Sequence, residues 1–296
     1  MASADFWRRS LRRLFALYLF VSGIALFFPH RPRAWPVLVL LHAVAMLLLL
    51  GAVPLSRITN PLSARWPQLM RAVRDWYLLL LVPLLYSELA VLNVAVHNGR
   101  YFDDIILNWE QQLFGGQPSR ELAVAYPDLW LSELLHFSYI AYYLIIYGPF
   151  LLLYLRGRIE DHQRAAFVIL LTFFAHYVFF IYFPVQGPRY LFAAPGGELA
   201  DGTMYNLAHR ILEAGSSRGA AFPSSHVGVA FAQTAMSFLL LKRWAPLLTV
   251  LSTGLAVGAV YGGFHYATDA VIGFIYALLL VPLAPILARA LAGEKS

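Results

Sequence analysis

The stretch AAFPSSHVGVAF, Ala220 to Phe231, sets a proline, two serines and a histidine at the mouth of an apolar run. If VGVAF and the apolar residues beyond it enter a bilayer, His226 is a titratable group held at a membrane surface. Composition supports the bilayer. Of 296 residues, 60% are hydrophobic and only 13% charged, where ordinary soluble domains carry about 25% charge. Mean hydropathy is +0.63. Several uninterrupted apolar runs approach the roughly 20 residues a spanning helix needs. The expected fold is therefore an all-α, polytopic transmembrane helical bundle.

Eight spans can be drawn: about Leu14–Phe28, Pro36–Leu55, Trp76–Val96, Leu131–Leu155, Ala165–Phe183, Pro223–Leu241, Ala245–Phe264 and Ala267–Ala288. The prolines inside them (Pro83, Pro149, Pro282, Pro285) are tolerable where neighbouring helices satisfy the freed backbone groups. With the N-terminus in the cytoplasm, 15 of the 22 basic residues fall on the inner side and 7 on the outer. That bias predicts an N-in, C-in arrangement. The basic start, RRSLRRLF, followed by an apolar run resembles a secretory signal and faintly a twin-arginine one. The run ends in FFPHRP without a small-residue cleavage site, so it reads as a retained first helix. Net charge is +6, but the basic residues are scattered between apolar runs. Nucleic-acid binding is thereby disfavoured. The absence of cysteine excludes disulfides and thiolate metal sites.

Two outer segments are long. In His97–Trp130, the apolar residues Phe102, Ile105, Ile106, Trp109 and Leu113 recur at helical spacing, which predicts a short helix lying on the membrane surface. Asp103 and Asp104 at its start would either recognise a polar headgroup or cap it. Pro184–Phe222 reads as an irregular loop with one short helix near Met204–Ala214.

Three polar clusters fall on the outer side in this topology: QGPRY (Gln186–Tyr190), FPSSH (Phe222–His226) and GGFHYATD (Gly262–Asp269). His265 and Asp269 are four apart and would stack on one helical face. A carboxylate beside an imidazole fixes its tautomer and favours its cation, which suits a nucleophile. It equally suits a pair that ties two helix ends together. Pro223 fits the first turn of a helix, with Ser224, Ser225 and His226 beside it. Free N–H groups and the positive end of the dipole make such a turn an anion site. Ser224 would bind the anion or simply cap the helix, and His226 would protonate a leaving oxygen. Arg189 offers planar, multidentate donors to phosphate oxygens. As a set, these residues make a phosphoryl-transfer kit that requires neither metal nor cofactor. A metal or haem site on His226 and His265 is a weaker reading.

At these residues the chain resembles the type 2 phosphatidic acid phosphatase (PAP2) superfamily, whose motifs are K-x6-R-P, P-S-G-H and S-R-x5-H-x3-D. PSSH at Pro223–His226 is similar to the second, HYATD at His265–Asp269 to the core of the third, and FPxxGPRY supplies the arginine of the first. FDDIILNWEQQLFGGQP and LHFSYIAYYL look like the inositolphosphotransferase branch, which includes fungal inositol phosphorylceramide synthase. The resemblance covers about Trp76–Ala288. It implies a six-helix catalytic core within residues 76–296, with residues 1–75 as a two-helix N-terminal extension.

The resemblance also implies roles. His265 would be the nucleophile, oriented by Asp269, and His226 the general acid. Arg189, Ser224 and Ser225 would hold phosphate. The implied activity is a lipid-phosphate phosphatase or phosphotransferase. Its partners would be a phosphorylated lipid and a polar alcohol such as inositol or a sugar. Its site would be periplasmic, in a bacterial inner membrane. The chain departs from the pattern where Gly258 and Ala259 replace the serine and arginine of the third motif, and where Val178 stands near the missing lysine. Arg218 is the candidate replacement cation. The missing cations also fit a non-catalytic lipid-binding or transport protein on the same scaffold. His136 in the fourth span either packs or reaches a headgroup, with Tyr139, Tyr142 and Tyr143 beside it. Glu88 and His176 are intramembrane ionisable groups with no partner evident in the sequence.

Overall fold

The structure is a computed structural model and describes residues 3–51 and 65–294. The second expected span lies partly outside the described residues, at 52–55. Helices in chain order are α1 (Ala4–Ile24), α2 (Trp35–Leu49), α3 (Pro67–Leu80), α4 (Val82–His97), α5 (Asp103–Phe114), α6 (Pro118–Ala125), α7 (Leu129–Ile140), α8 (Tyr142–Leu155) and α9 (Ile159–Tyr182). They continue as α10 (Pro188–Leu191), α11 (Thr203–Gly215), α12 (Ser225–Leu240), α13 (Ala245–Tyr261) and α14 (Ala267–Ala292). The described residues form no strand; an isolated parallel bridge joins Val185 to Ala220.

Four helical stretches are long and apolar enough to cross a membrane: Ala4–Phe27, Pro67–His97, Ile159–Tyr182 and Ala267–Ala292. The pair α7–α8, bent by 41°, makes a fifth if taken as one span. Helices α2, α12 and α13 are apolar but shorter, at 15, 16 and 17 residues. The chain is thus an all-helical membrane protein.

Helix α9 is the central post. From Ala165 to Thr172 every residue is buried, as a helix apolar on all sides should be. Helix α1 packs along it through Phe15 and Tyr18, whose rings meet Phe174 at 5.2 and 4.3 Å. The first helix therefore begins near Ala4, ten residues before the expected Leu14. The arginines of RRSLRR leave Phe6, Trp7, Leu11, Leu14 and Tyr18 on one buried stripe, and Ser3 caps the helix by accepting from the Phe6 N–H at 3.3 Å. Two other expected spans are interrupted. The third breaks at Leu81, two residues before Pro83, and the fourth at Ala141. Glu88, without a partner in the sequence, meets His42 of α2 at 3.7 Å.

The ends of α4, α9 and α13 and the starts of α12 and α14 lie together. Over them fold α5, α6, α11 and the 184–222 segment, which brings the three polar clusters to one end of the bundle.

Candidate active site

The turn carrying His265 is set by glycine. After α13, Gly263 has φ +67°, a conformation costly for any residue with a Cβ. The Gly263 N–H donates to the Val260 carbonyl at 3.0 Å and the Phe264 N–H to the Ala259 carbonyl at 3.0 Å, the two bonds of a Schellman ending. The His265 N–H joins the same Ala259 oxygen at 3.0 Å. His265 therefore stands in the turn and not on a helical face with Asp269, as its spacing had suggested. Asp269 folds back instead. Its Oδ2 accepts from the Tyr266 N–H at 2.9 Å in a capping box and lies 3.4 Å from His265 Nδ1. With Nδ1–H aimed at the carboxylate, Nε2 carries the lone pair. That lone pair faces His226 Nδ1 at 3.3 Å. Burial holds the His265 imidazole down to about 4, so it is neutral at physiological pH.

Helix α12 starts at Ser225, with Ser224 as its N-cap. Pro223 precedes the cap and does not occupy the first turn as expected, because the Ser224 side chain takes the capping place. Ser224 is fully buried; its Oγ accepts from the Val227 N–H at 3.4 Å, and its own N–H donates to the Asp269 carbonyl at 3.0 Å. The Ser225 and His226 N–H groups have no acceptor among the described residues. They are the free donors of a helix N-terminus, next to the paired imidazoles. The His226 ring lies between Tyr142 at 4.5 Å and Tyr139 at 5.3 Å. A small pocket beside it is lined by Tyr143, Ile211 and Leu212, an apolar side approach to the imidazole.

The GPRY segment is held by residues that sequence reasoning did not place in the site. Asp103 accepts from the Gln186 and Gly187 N–H groups, both at 2.9 Å, and from the Tyr266 hydroxyl at 3.0 Å. Gly187 has φ +91°, and a Cβ there would stand 2.9 Å from the Ala221 Cβ. Glu110, two turns along the same helix, accepts from the Thr268 N–H at 2.8 Å and its hydroxyl at 3.2 Å. Burial raises the Glu110 carboxyl while the Thr268 bonds pull it back. Asp103, Ile106 and Glu110 are buried, whereas Trp109 and Leu113 face outward. The unpaired N–H groups of the turn and of α14 demand acceptors. The i, i+3, i+7 spacing of Asp103, Ile106 and Glu110 was the available signal.

Arg189 donates from Nη1 to Ser216 Oγ at 3.1 Å and is within electrostatic reach of Tyr139 and His209. Tyr139 in turn packs against both His226 and Phe264. Arg218 is exposed; its Nε donates to Gln186 Oε1 at 2.7 Å, and its guanidinium lies over Tyr101 and Tyr190. It ties two loops together. Where the third motif has serine and arginine, a Cβ on Gly258 would stand 2.4 Å from the Leu135 carbonyl oxygen, and Ala259 is fully buried. The close approach of α7 fills the place of the missing serine side chain. His136, His209 and Tyr205 pack behind Phe264, and His136 Nδ1 donates to the Ser132 carbonyl at 2.7 Å. His176 lies beneath, its Nδ1 on the Thr172 carbonyl at 2.7 Å. No group of metal-ligating side chains occurs among the described residues.

A family model described as the PAP2 superfamily matches residues 104–283. That range is more than half of the chain and contains all three clusters, and the chain belongs to this superfamily. No curated protein and no solved structure matches it. Membership points to phosphatase- or phosphotransferase-type chemistry.

Proposed function

We propose that this member of the PAP2 superfamily is a membrane lipid-phosphate phosphatase or phosphotransferase that works through a phosphohistidine. The observation that carries the reading is the His265 imidazole, held by Asp269 on one nitrogen and turned toward His226 on the other, beside two free N–H groups. His265 Nε2 attacks phosphorus and the bond from phosphorus to the lipid oxygen breaks. His226 gives that oxygen its proton. Water or an alcohol then attacks phosphorus, His226 takes the attacker's proton, and the phosphorus–nitrogen bond breaks to regenerate His265. Arg189 and the Ser225 and His226 N–H groups stabilise the phosphoryl oxygens. Ser224 contributes by capping the turn that presents those donors, and Arg218 by holding the Gln186 loop. The imidazoles are now at hydrogen-bond distance, so the phosphoryl group must part them as it binds.

The proposed setting is a bacterial inner membrane. Counting α2, α12 and α13 as spans gives eight, N-in and C-in, with the site on the periplasmic face and residues 1–75 as an extension on the 76–296 catalytic unit. The sequence likeness to the inositolphosphotransferase branch supports an alcohol acceptor such as inositol or a sugar.

The test is to incubate the purified protein with lipid phosphates, with and without polyol, and to follow free phosphate and lipid-linked acceptor. Turnover that disappears in His265→Ala is expected. Equal product from wild type and His265→Ala would remove the enzyme reading. A second reading, a non-catalytic lipid-binding protein, is favoured by the loss of cationic side chains at Ala259 and near Val178. It predicts lipid binding without turnover.

A further inference from the structure

At the opposite end of the bundle, a cavity of roughly 980 Å³ opens between α1, α3 and α9. It is separate from the candidate active site. It touches Gln163, Ala166 and Leu170 in the first turns of α9, whereas the site follows the last residue, Tyr182. Ala166 to Tyr182 spans about 24 Å of helix.

Five arginines line the cavity, Arg8, Arg9 and Arg12 from α1 and Arg71 and Arg74 from α3, against two carboxylates, Asp5 and Asp75. Those carboxylates are already committed. Asp75 is buried and accepts from Arg8 Nε at 3.1 Å and Nη2 at 2.9 Å, with Arg74 Nε 3.5 Å away. Asp5 lies 2.7 Å from Arg8 Nη1. Gln163, itself buried, donates to the Asp75 backbone carbonyl at 3.3 Å and completes a fixed floor. Arg9, Arg12 and Arg71 have no carboxylate within ion-pair distance among the described residues, and residues 52–64 contain no Asp or Glu. The other walls are hydrocarbon, including Leu11, Leu78, Leu79 and Leu170. Three uncompensated guanidiniums above an apolar cleft at a helix-bundle end match an amphiphile, with its anionic head on the arginines and its chain along the leucines. Basic pockets between membrane helices hold anionic headgroups in this way, and arginine forks suit phosphate oxygens.

We propose that this cavity binds an anionic phospholipid as a bound lipid distinct from substrate. The test uses the purified full chain in phosphatidylcholine nanodiscs with and without phosphatidylglycerol, counting lipids retained on release by native mass spectrometry. Wild type should retain phosphatidylglycerol over phosphatidylcholine. The triple variant Arg9→Gln, Arg12→Gln, Arg71→Gln should lose that preference by roughly a hundredfold, at about 1 kcal/mol per arginine. Arg189→Gln should leave it intact. If the triple variant does not fold, wild type still decides. Phosphatidylglycerol must raise its melting temperature above that in phosphatidylcholine alone, and high salt must erase the rise. Equal retention of the two lipids by wild type, or a preference that survives in the triple variant, would overturn the proposal. So would equally tight binding of soluble glycerol phosphate, which would make the ligand a free anion.

Discussion

Two pairs of imidazoles lie near Phe264, and they differ in what holds them. His226 and His265 approach to 3.3 Å; the far nitrogen of His265 has a carboxylate, and a helix N-terminus with free donors lies next to the pair. His136 and His209 have ring centroids 6.0 Å apart. His136 is tied to a backbone carbonyl, and His209 packs tilted against Tyr205 at 4.2 Å. Burial, then His136 and Arg189, push His209 down to about 4. In each pair one ring is buried, His265 and His136, and the other, His226 and His209, is half-buried. What separates them is the partner that can stabilise a developing cation and the donors that can hold an anion, and only the first pair has both.

The comparison breaks most cleanly at His265. Its replacement by alanine should remove turnover and the acid-labile phosphoenzyme, a loss of about 10⁴-fold or more; labelling that persists would exonerate it. His226→Ala should cost about 10²- to 10⁴-fold on a lipid ester. The loss should shrink sharply on a p-nitrophenyl ester, whose leaving group needs no proton, and a uniform loss across leaving groups would argue against acid catalysis. Asp103→Asn removes a charged acceptor shared by two N–H groups and the Tyr266 hydroxyl. It should lower stability by roughly 2 kcal/mol and weaken vanadate binding by displacing Arg189. Thermal melts and vanadate titration read the two effects separately. At the small end, His136→Gln should change kcat/KM by less than about threefold. A large fall there, with unchanged melting temperature, would merge the two pairs into one site.

The pH profile sharpens the same contrast. His265 must be neutral to attack, and its folded value of about 4 lies below the ordinary 6.5. Activity should therefore persist below pH 6 and fall only toward pH 4. Between those values the unfolded chain binds a proton that the folded His265 refuses, so this residue makes stability rise with pH across the window. An acid limb centred near 6.5 would mean that His265 is not desolvated in the working enzyme.

Much was legible in the chain itself. The all-helical membrane fold follows from apolar runs that water cannot solvate. The grouping of GPRY, FPSSH and HYATD follows from their alternation with those runs, and the surface helix from its 3.6-residue period. Other features needed contacts between distant residues. Asp103 and Glu110 look like solvated charges on a surface helix until the N–H groups of Gln186, Gly187 and Thr268 come within reach. HxxxD is indifferent between a helical face and a capping box, and the Schellman turn at Gly263 chooses the box. Gly258 reads as a loss of function, yet it admits the α7 backbone. Sequence alone determined where polar groups interrupt the apolar chain, because the bilayer penalises each one individually. Tertiary structure decided which of them face one another, because the unpaired donors at helix ends take their acceptors from whatever the fold brings near.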